Sequence, residues 1–258
     1  MKKITVKHYI NKRLKCPSLY VRVIYDRKDT TFPSEIVSNI NPSEKQFLED
    51  LTLKREMEYE AEIITSIIQF CINLHKENFT FSQINFSSVI HTWKDSVPDK
   101  YFFTYIENKE VRQKVRVPLL NFISEHTKIK LETIDKIVNY SLEELDALLD
   151  LVKNHDIYDI DIKQTILFCN LLYEYERIYY YKPEPIGKWI YGADNMFGYY
   201  EWKDKKGKEQ FEKYALKQNI LPKEFVKDRI SDFDIELSKG IETALYLSNF
   251  TDTKRNPK

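Results

Sequence analysis

The sequence is poor in glycine, with only five glycines among 258 residues. Nucleotide-binding loops of the dinucleotide and P-loop types need glycines at fixed spacings, because the backbone must approach the phosphates closely. Neither spacing occurs in this chain. The sequence therefore gives no indication of either nucleotide-binding fold.

Cysteine and histidine are scarce as well. The three cysteines, Cys16, Cys71 and Cys169, are odd in number and far apart, which argues against a disulfide framework or a zinc knuckle and fits a reducing cytoplasm. The five histidines do not cluster. We therefore expect no metal site and no cofactor.

Long apolar runs are missing too. No run approaches the roughly 20 residues that a membrane-spanning helix needs. The first ten residues carry charges but lack the apolar core and small-residue cleavage site of a signal peptide. We expect a cytoplasmic protein without a membrane segment.

Net charge is absent overall but unevenly distributed, since 40 Lys and Arg balance 40 Asp and Glu. Residues 1–30 contain nine basic and two acidic residues, a formal charge of +7, which leaves −7 for the remainder. A basic end on an otherwise acidic chain is typical of phosphate contact. The alternative is a positive face that is only solvated.

The N-terminal third has the alternation of β-strands. Residues 4–10, 19–25 and about 30–37 are rich in β-branched and aromatic residues with turns between them. Ser43 with Gln46 has the spacing of a capping box, which predicts a helix from there to about residue 75. The predicted fold class is α+β, mainly α, with a three-stranded antiparallel sheet and a long helix at the N-terminus.

Several short motifs occur in this region: Asn11-Lys-Arg, Pro17-Ser-Leu-Tyr-Val-Arg-Val, Arg27-Lys, and Asn78-Phe-Thr-Phe. With them, residues 1–90 resemble the arm-type DNA-binding domain at the N-terminus of many tyrosine recombinases (integrases) of mobile elements. The resemblance implies a small sheet laid against DNA. It also implies phosphate contacts from basic residues of the strands and loops, namely Lys12, Arg13, Arg22, Arg27 and Lys28. The alternative is a surface hairpin whose charges point to water.

The catalytic part of a recombinase is not apparent in the sequence. Such enzymes use a Tyr nucleophile assisted by Arg and His, including a His-x-x-Arg pair. None of the five histidines is followed three residues later by Arg. We therefore expect a non-catalytic protein.

Residues 119–139 resemble the helix-turn-helix of bacterial transcription factors and recombinase-associated regulators. Ile123-Ser124 and Ile129 occupy the apolar and small positions around the turn, although Lys128 stands where Gly is usual. The second helix of such a unit enters the major groove. We therefore expect base contacts from three of its exposed residues, namely Lys130, Thr133 and Lys136. The alternative is two ordinary core helices.

The rest of the chain is predicted to be helical. Candidate helices cover 101–110, 141–153 and 159–182, and others begin near 209 and 222, while 197–202 is predicted as a short strand. The predicted domains are 1–95 (arm-like), 96–183 (helical, with the helix-turn-helix-like segment) and 184–258 (an aromatic-rich subdomain).

Three functions are compatible with these patterns. The favoured one is a non-catalytic accessory or regulatory factor of a mobile genetic element that binds double-stranded DNA. The second is a structural or interaction module, with a homodimer or a protein partner bound through the aromatic C-terminal region. The third and weakest is a metal-dependent nuclease, in which Asp194, Glu201 and Lys203 form the acidic residue plus Glu-x-Lys pattern, with the latter two on one face of a strand.

Overall fold

The computed structural model describes residues 3–11, 18–36, 51–75, 84–115, 118, 141–154, 157, 159–180 and 197–251. These residues form a small antiparallel sheet followed by helices, so the α+β, mainly α, fold class is confirmed. The predicted helix-turn-helix, at 119–139, lies outside the described residues.

Three strands form the sheet in the order β1-β2-β3, with both neighbouring pairs antiparallel. Strand β1 is Thr5–Asn11, β2 is Ser18–Tyr25 and β3 is Lys28–Pro33. Their β-branched and aromatic residues alternate between a packed face and an open face, as the sequence predicts.

A two-residue turn joins β2 to β3, because Tyr25 pairs directly with Lys28. Its central residues, Asp26 and Arg27, both have left-handed backbones, with φ of 48° and 63°. Positive φ at both central positions is the type I′ geometry, whose twist matches that of the flanking strands. Asp tolerates this conformation better than Arg does, so Arg27 is held at a conformational cost of roughly 1 kcal/mol.

The helices are numbered in chain order. They are α1 (Leu51–His75), α2 (Phe86–Lys94), α3 (Val97–Tyr101), α4 (Ser141–Lys153), α5 (Ile160–Tyr179), α6 (Tyr199–Asp204), α7 (Gly207–Gln218) and α8 (Lys223–Thr251). A π-helical turn, Phe102–Ile106, follows α3 directly, and residues 109–115 are also helical. None of the helices in the described part of the chain is long and apolar enough to cross a membrane.

The chain divides into two compact units. Unit 1 contains residues 1–95, 183–205 and 236–258, and unit 2 contains 96–182 and 206–235. Residues 184–258, for which the sequence predicts a separate third domain, are thus divided between the two units.

In unit 1 the packed face of the sheet lies on α1. Leu19, Val21 and Val23 of β2 are buried, and α1 presents Ile63, Ile64, Ile67, Ile68 and Cys71, all at most 2% exposed. These residues follow the 3.6-residue period of an amphipathic helix. The open face of the sheet is left available to solvent.

Unit 2 is built around aromatic rings. Tyr101 contacts Phe168 of α5 and Phe233 of α8, with ring centroids 4.9 and 5.0 Å apart. Phe211 of α7 lies 5.4 Å from Phe168. The Tyr101–Phe168 rings are tilted and the other two pairs are edge-on, and such contacts add to the burial of apolar area, so these rings anchor the helices of this unit.

Two element predictions are wrong. The predicted helix at 101–110 is interrupted, because the π-helical turn replaces regular α-helix after Tyr101. The predicted strand at 197–202 is instead the start of α6. There the N–H of Gly198 donates to Oε2 of Glu201 at 3.0 Å, and the N–H of Trp202 donates to the Gly198 carbonyl at 3.0 Å. These two bonds start a helical turn in a segment whose aromatic residues favour a strand.

Candidate nucleic-acid interface

The open face of the three-stranded sheet is the candidate interface, and we call it the outer sheet face. Strand alternation and register place eleven residues on it. They are Thr5, Lys7, Tyr9, Asn11, Ser18, Tyr20, Arg22, Ile24, Asp29, Thr31 and Pro33. The face therefore consists mainly of hydroxyl, aromatic and basic side chains.

Two positive charges lie side by side at its centre. Lys7 of β1 pairs directly with Arg22 of the middle strand, and both are exposed. Like charges directly opposite each other on a sheet are unfavourable by a few tenths of a kcal/mol. An anion bound at this place would relieve that repulsion, so the arrangement suits a phosphate-bearing partner.

Arg22 also has an acidic neighbour on the adjacent strand. Its Nε and Nη2 donate to Oδ2 of Asp29 at 2.9 and 2.8 Å. Asp29 pairs in register with Ile24, so the contact runs diagonally from β2 to β3. Both side chains are about half exposed, at 52% and 47%. The ion pair therefore adds little to folding stability, and its main effect is to orient the guanidinium group.

Aromatic and hydroxyl groups complete the face. Tyr9 and Tyr20 are cross-strand partners whose ring centroids are 6.1 Å apart. Beside them a shallow depression of about 760 Å³ is lined in part by Lys7, Arg22 and Thr31. Aromatic rings offer stacking contacts, and hydroxyl and basic groups offer hydrogen bonds to phosphate or base edges.

The type I′ turn extends this positive surface. Arg27 and Lys28 are exposed at the end of the hairpin. Arg27 is the second central residue of the turn and lies at the end of the outer sheet face. Lys28 is the first residue of β3 and pairs with Tyr25, so strand alternation places it on the opposite face of the hairpin.

The predicted contact residues fall into two groups. Arg22 lies on the outer sheet face, where it forms an ion pair with Asp29, and Arg27 lies in the adjoining turn, whereas Lys28 is exposed on the opposite face of the hairpin. The other predicted residues lie outside the described part of the chain, namely Lys12, Arg13, Lys130, Thr133 and Lys136.

Sequence reasoning missed several residues of the outer sheet face. The sequence places Lys7, Tyr9 and Tyr20 in strands and Asp29 in a turn, and it counts Lys7 and Asp29 in the N-terminal charge balance, but it assigns none of them to an interface. Period-two alternation of β1 puts Lys7 and Tyr9 on one face and was available as a signal. The pairing of Lys7 with Arg22 was not available, because it depends on the hairpin register.

A buried polar cluster attaches the sheet to α1 beneath this surface. Glu60 of α1 accepts hydrogen bonds from His8 Nε2 at 2.7 Å, the Ser34 hydroxyl at 2.6 Å and the Glu35 N–H at 2.7 Å. Burial acts to raise the pKa of Glu60, but these three donors outweigh it and hold the pKa below its usual value. The carboxylate therefore joins β1, the segment after β3 and α1.

The Glu-x-Lys pattern does not have the geometry of a nuclease site. Glu201 and Lys203 lie two residues apart on α6, where they point to different sides, rather than on one face of a strand. Glu201 is buried and accepts from the Tyr59 hydroxyl at 2.5 Å, whereas Lys203 is exposed and lies over the Phe70 ring at 4.1 Å. Asp194 lies outside the described residues.

Glu201 has an environment that favours the neutral acid. Burial raises the pKa of its carboxyl group, and the hydrogen bonds that favour the charged form only partly offset that effect. A metal-binding carboxylate must be ionised, so this environment does not favour a cation. Among the described residues there is no group of three or more His, Cys, Asp or Glu that could hold a metal ion.

Four aromatic residues at the start of the described C-terminal quarter are core residues of unit 1. Phe197, Tyr199, Tyr200 and Trp202 are each at most 5% exposed. Tyr199 packs edge-on against Trp93, with ring centroids 5.2 Å apart. These four side chains fill the interior, as aromatic residues commonly do.

Comparison with known proteins adds no further assignment. No family model matches this chain, and neither a curated protein nor a solved structure matches it.

Proposed function

We propose that this chain is a cytoplasmic, non-catalytic protein that binds double-stranded DNA, and that it serves as an accessory or regulatory factor of a mobile genetic element. The observation that carries the proposal is the outer sheet face, where Lys7 and Arg22 lie side by side among tyrosines and hydroxyl groups. The mobile-element role rests only on the resemblance to recombinase arm domains.

The basic turn supports the same proposal. Arg27 keeps a left-handed backbone in which Gly would be free of strain. A basic residue held in a strained conformation on an exposed turn is compatible with a functional role. Phosphate contacts by Arg27 and Lys7 would position the sheet on the duplex, as backbone contacts generally do.

The proposal is tested by measuring affinity for mixed-sequence duplex DNA across a salt titration. Because phosphate contacts release counterions, log affinity should fall linearly with log salt, by about 0.9 per contact. The double variant Lys7→Gln, Arg27→Gly should lower this slope by roughly two. Neither change should unfold the protein, since one relieves like-charge repulsion and the other relieves backbone strain.

A matched control removes two positive charges elsewhere. Lys223 and Lys227 are exposed near the start of α8, so Lys223→Gln, Lys227→Gln makes the same change in net charge. This control should leave the slope near the wild-type value. Absence of wild-type binding at low salt would reject the DNA-binding proposal and favour the interaction module instead. Equal slopes for the two double variants would reject the outer sheet face as the interface.

A further inference from the structure

The ion pair between Arg22 and Asp29 has a consequence that goes beyond general DNA binding. A guanidinium group has two usable edges, one formed by Nε and one Nη, the other by both Nη atoms. Asp29 occupies the Nε–Nη2 edge. No other described side chain forms a hydrogen bond or ion pair with Arg22, so its Nη1–Nη2 edge is available to a partner.

We propose that Asp29 is a specificity-determining residue, which holds Arg22 so that its Nη1–Nη2 edge reads a guanine in the major groove of duplex DNA. This inference rests on the proposed DNA-binding function and names the base-reading pair within it. Guanine presents O6 and N7 as two adjacent acceptors in the major groove, and they match a planar pair of guanidinium donors.

The charge of Asp29 argues for reading bases rather than gripping phosphates. A carboxylate on a DNA-facing surface repels the backbone and neutralises part of the Arg22 charge. It therefore lowers the affinity for every sequence alike. An oriented guanidinium has a benefit only where geometry matters, which is at base edges. Asp29 thus lowers the affinity for all DNA sequences and increases the preference for one base pair over another.

The position of Arg22 on the sheet agrees with this role. It lies on the middle strand, between Lys7 on one side and Thr31 on the other. The major groove has room for an α-helix or a two-stranded β-ribbon, so a three-stranded face that enters it would place its middle strand deepest and its outer strands nearer the phosphates. Arg22 is consequently placed to contact a base edge, and Lys7 is placed to contact a phosphate of the DNA backbone.

The test compares Asp29→Asn with Asp26→Asn. Both remove one negative charge from the same hairpin, and Asn suits the left-handed backbone at position 26. Wild-type protein first selects a preferred duplex from a random-sequence pool. Affinities are then measured for that duplex, for a set in which each base pair is changed in turn, and for mixed-sequence duplex.

Both variants should bind mixed-sequence duplex more tightly than wild type, because each loses an acidic charge. Only Asp29→Asn should lose preference at one G·C pair, by roughly five-fold or more, and it should keep the preference at the other positions. Arg22→Lys keeps the charge but has no fork of donors, so it should lose preference at the same G·C pair.

The outcomes separate the two proposals. Wild-type binding without any site preference, or an unchanged base profile in Asp29→Asn, would overturn the role of Asp29 and leave the general DNA-binding proposal standing. A lost preference at an A·T pair instead of a G·C pair would overturn the guanine assignment. Failure of wild type to bind any duplex at low salt would instead reject the function on which this inference rests.

Discussion

At the scale of single residues, Glu60 is a buried polar side chain that attaches the sheet to α1. It is fully buried and is satisfied by donors from His8, Ser34 and the Glu35 backbone. A buried carboxylate is tolerated only when its oxygens are paired in this way. Any change that removes an acceptor at this position should therefore loosen the base of the outer sheet face.

Replacing Glu60 with Gln should destabilise the protein by about 1–3 kcal/mol at neutral pH, since an amide offers one acceptor oxygen to several donors. Because the folded-state pKa of Glu60 lies below its usual 4.5, the stabilisation is present above the unfolded-state pKa and is lost as the pH falls through the folded-state pKa. The difference in free energy of unfolding between wild type and variant should therefore narrow as the pH falls below about 4.5.

Urea denaturation at pH values between 5 and 3 measures this difference. Ser34→Ala is the control, because it removes one donor and keeps the carboxylate. Its cost should be smaller than that of Glu60→Gln. If the difference in free energy of unfolding between wild type and Glu60→Gln stays constant over this pH range, Glu60 is not stabilised as an ionised, hydrogen-bonded carboxylate.

At the scale of elements, the start of α6 shows how tightly one segment is fitted. A Cβ at Gly198 would lie 3.0 Å from the Trp93 carbonyl oxygen and 3.1 Å from that of Lys94. Backbone atoms cannot move aside as a flexible side chain can. Gly198 is therefore required for close packing rather than for an unusual φ, since its φ of −85° is ordinary.

Gly198→Ala should destabilise the protein by about 1–3 kcal/mol, the usual cost of overpacking. Gly240→Ala is the matched control, because Gly240 lies within α8 and a Cβ there meets nothing within 4 Å. That control should stabilise by about 0.5–1 kcal/mol, the difference in helix propensity between the two residues. Thermal unfolding measures the stability of both variants. A Gly198→Ala variant as stable as wild type would refute the close contact of position 198 with the Trp93 and Lys94 carbonyl oxygens.

The same element shows where prediction from sequence fails. The sheet, the long helix α1 and the helix Ser141–Lys153 follow from local patterns that the sequence displays. Helix α6 was predicted as a strand, since the aromatic residues favour one locally. Contacts from distant residues decide otherwise: Tyr59 donates to Glu201, and Trp93 packs on Tyr199. Such contacts leave no periodic signal in the sequence.

At the scale of the whole molecule, charge is segregated along a neutral chain, with +7 in residues 1–30 and −7 elsewhere. Opposite charges on different molecules should attract one another at low ionic strength, and no net charge opposes association. We expect reversible self-association near pH 7 in about 10 mM salt, where screening is weak, and its loss at about 0.5 M salt.

Dynamic light scattering across a salt series measures this association. The Lys7→Gln, Arg27→Gly variant should associate less than wild type, because it weakens the positive region. A particle size independent of salt would contradict an electrostatic origin.

The candidate site was only partly predictable from the sequence. The basic N-terminal region and the hairpin residues Arg22, Arg27 and Lys28 were identified from composition and from the resemblance. The pairing of Lys7 with Arg22 and the contact of Arg22 with Asp29 depend on strand register. Register is set by the turn and by the packed face together, so it emerges only from the folded structure.

The division of unit 1 into three chain segments constrains the order in which the protein can form. The sheet and α1 leave the ribosome early, but Glu201 and Asp204, which bond to Tyr59 and Ser66 on α1, are made more than a hundred residues later. At roughly 5–20 residues per second, that interval lasts on the order of ten seconds. During synthesis, the early segments therefore remain without part of their core, and a fragment ending near residue 95 should be prone to aggregation.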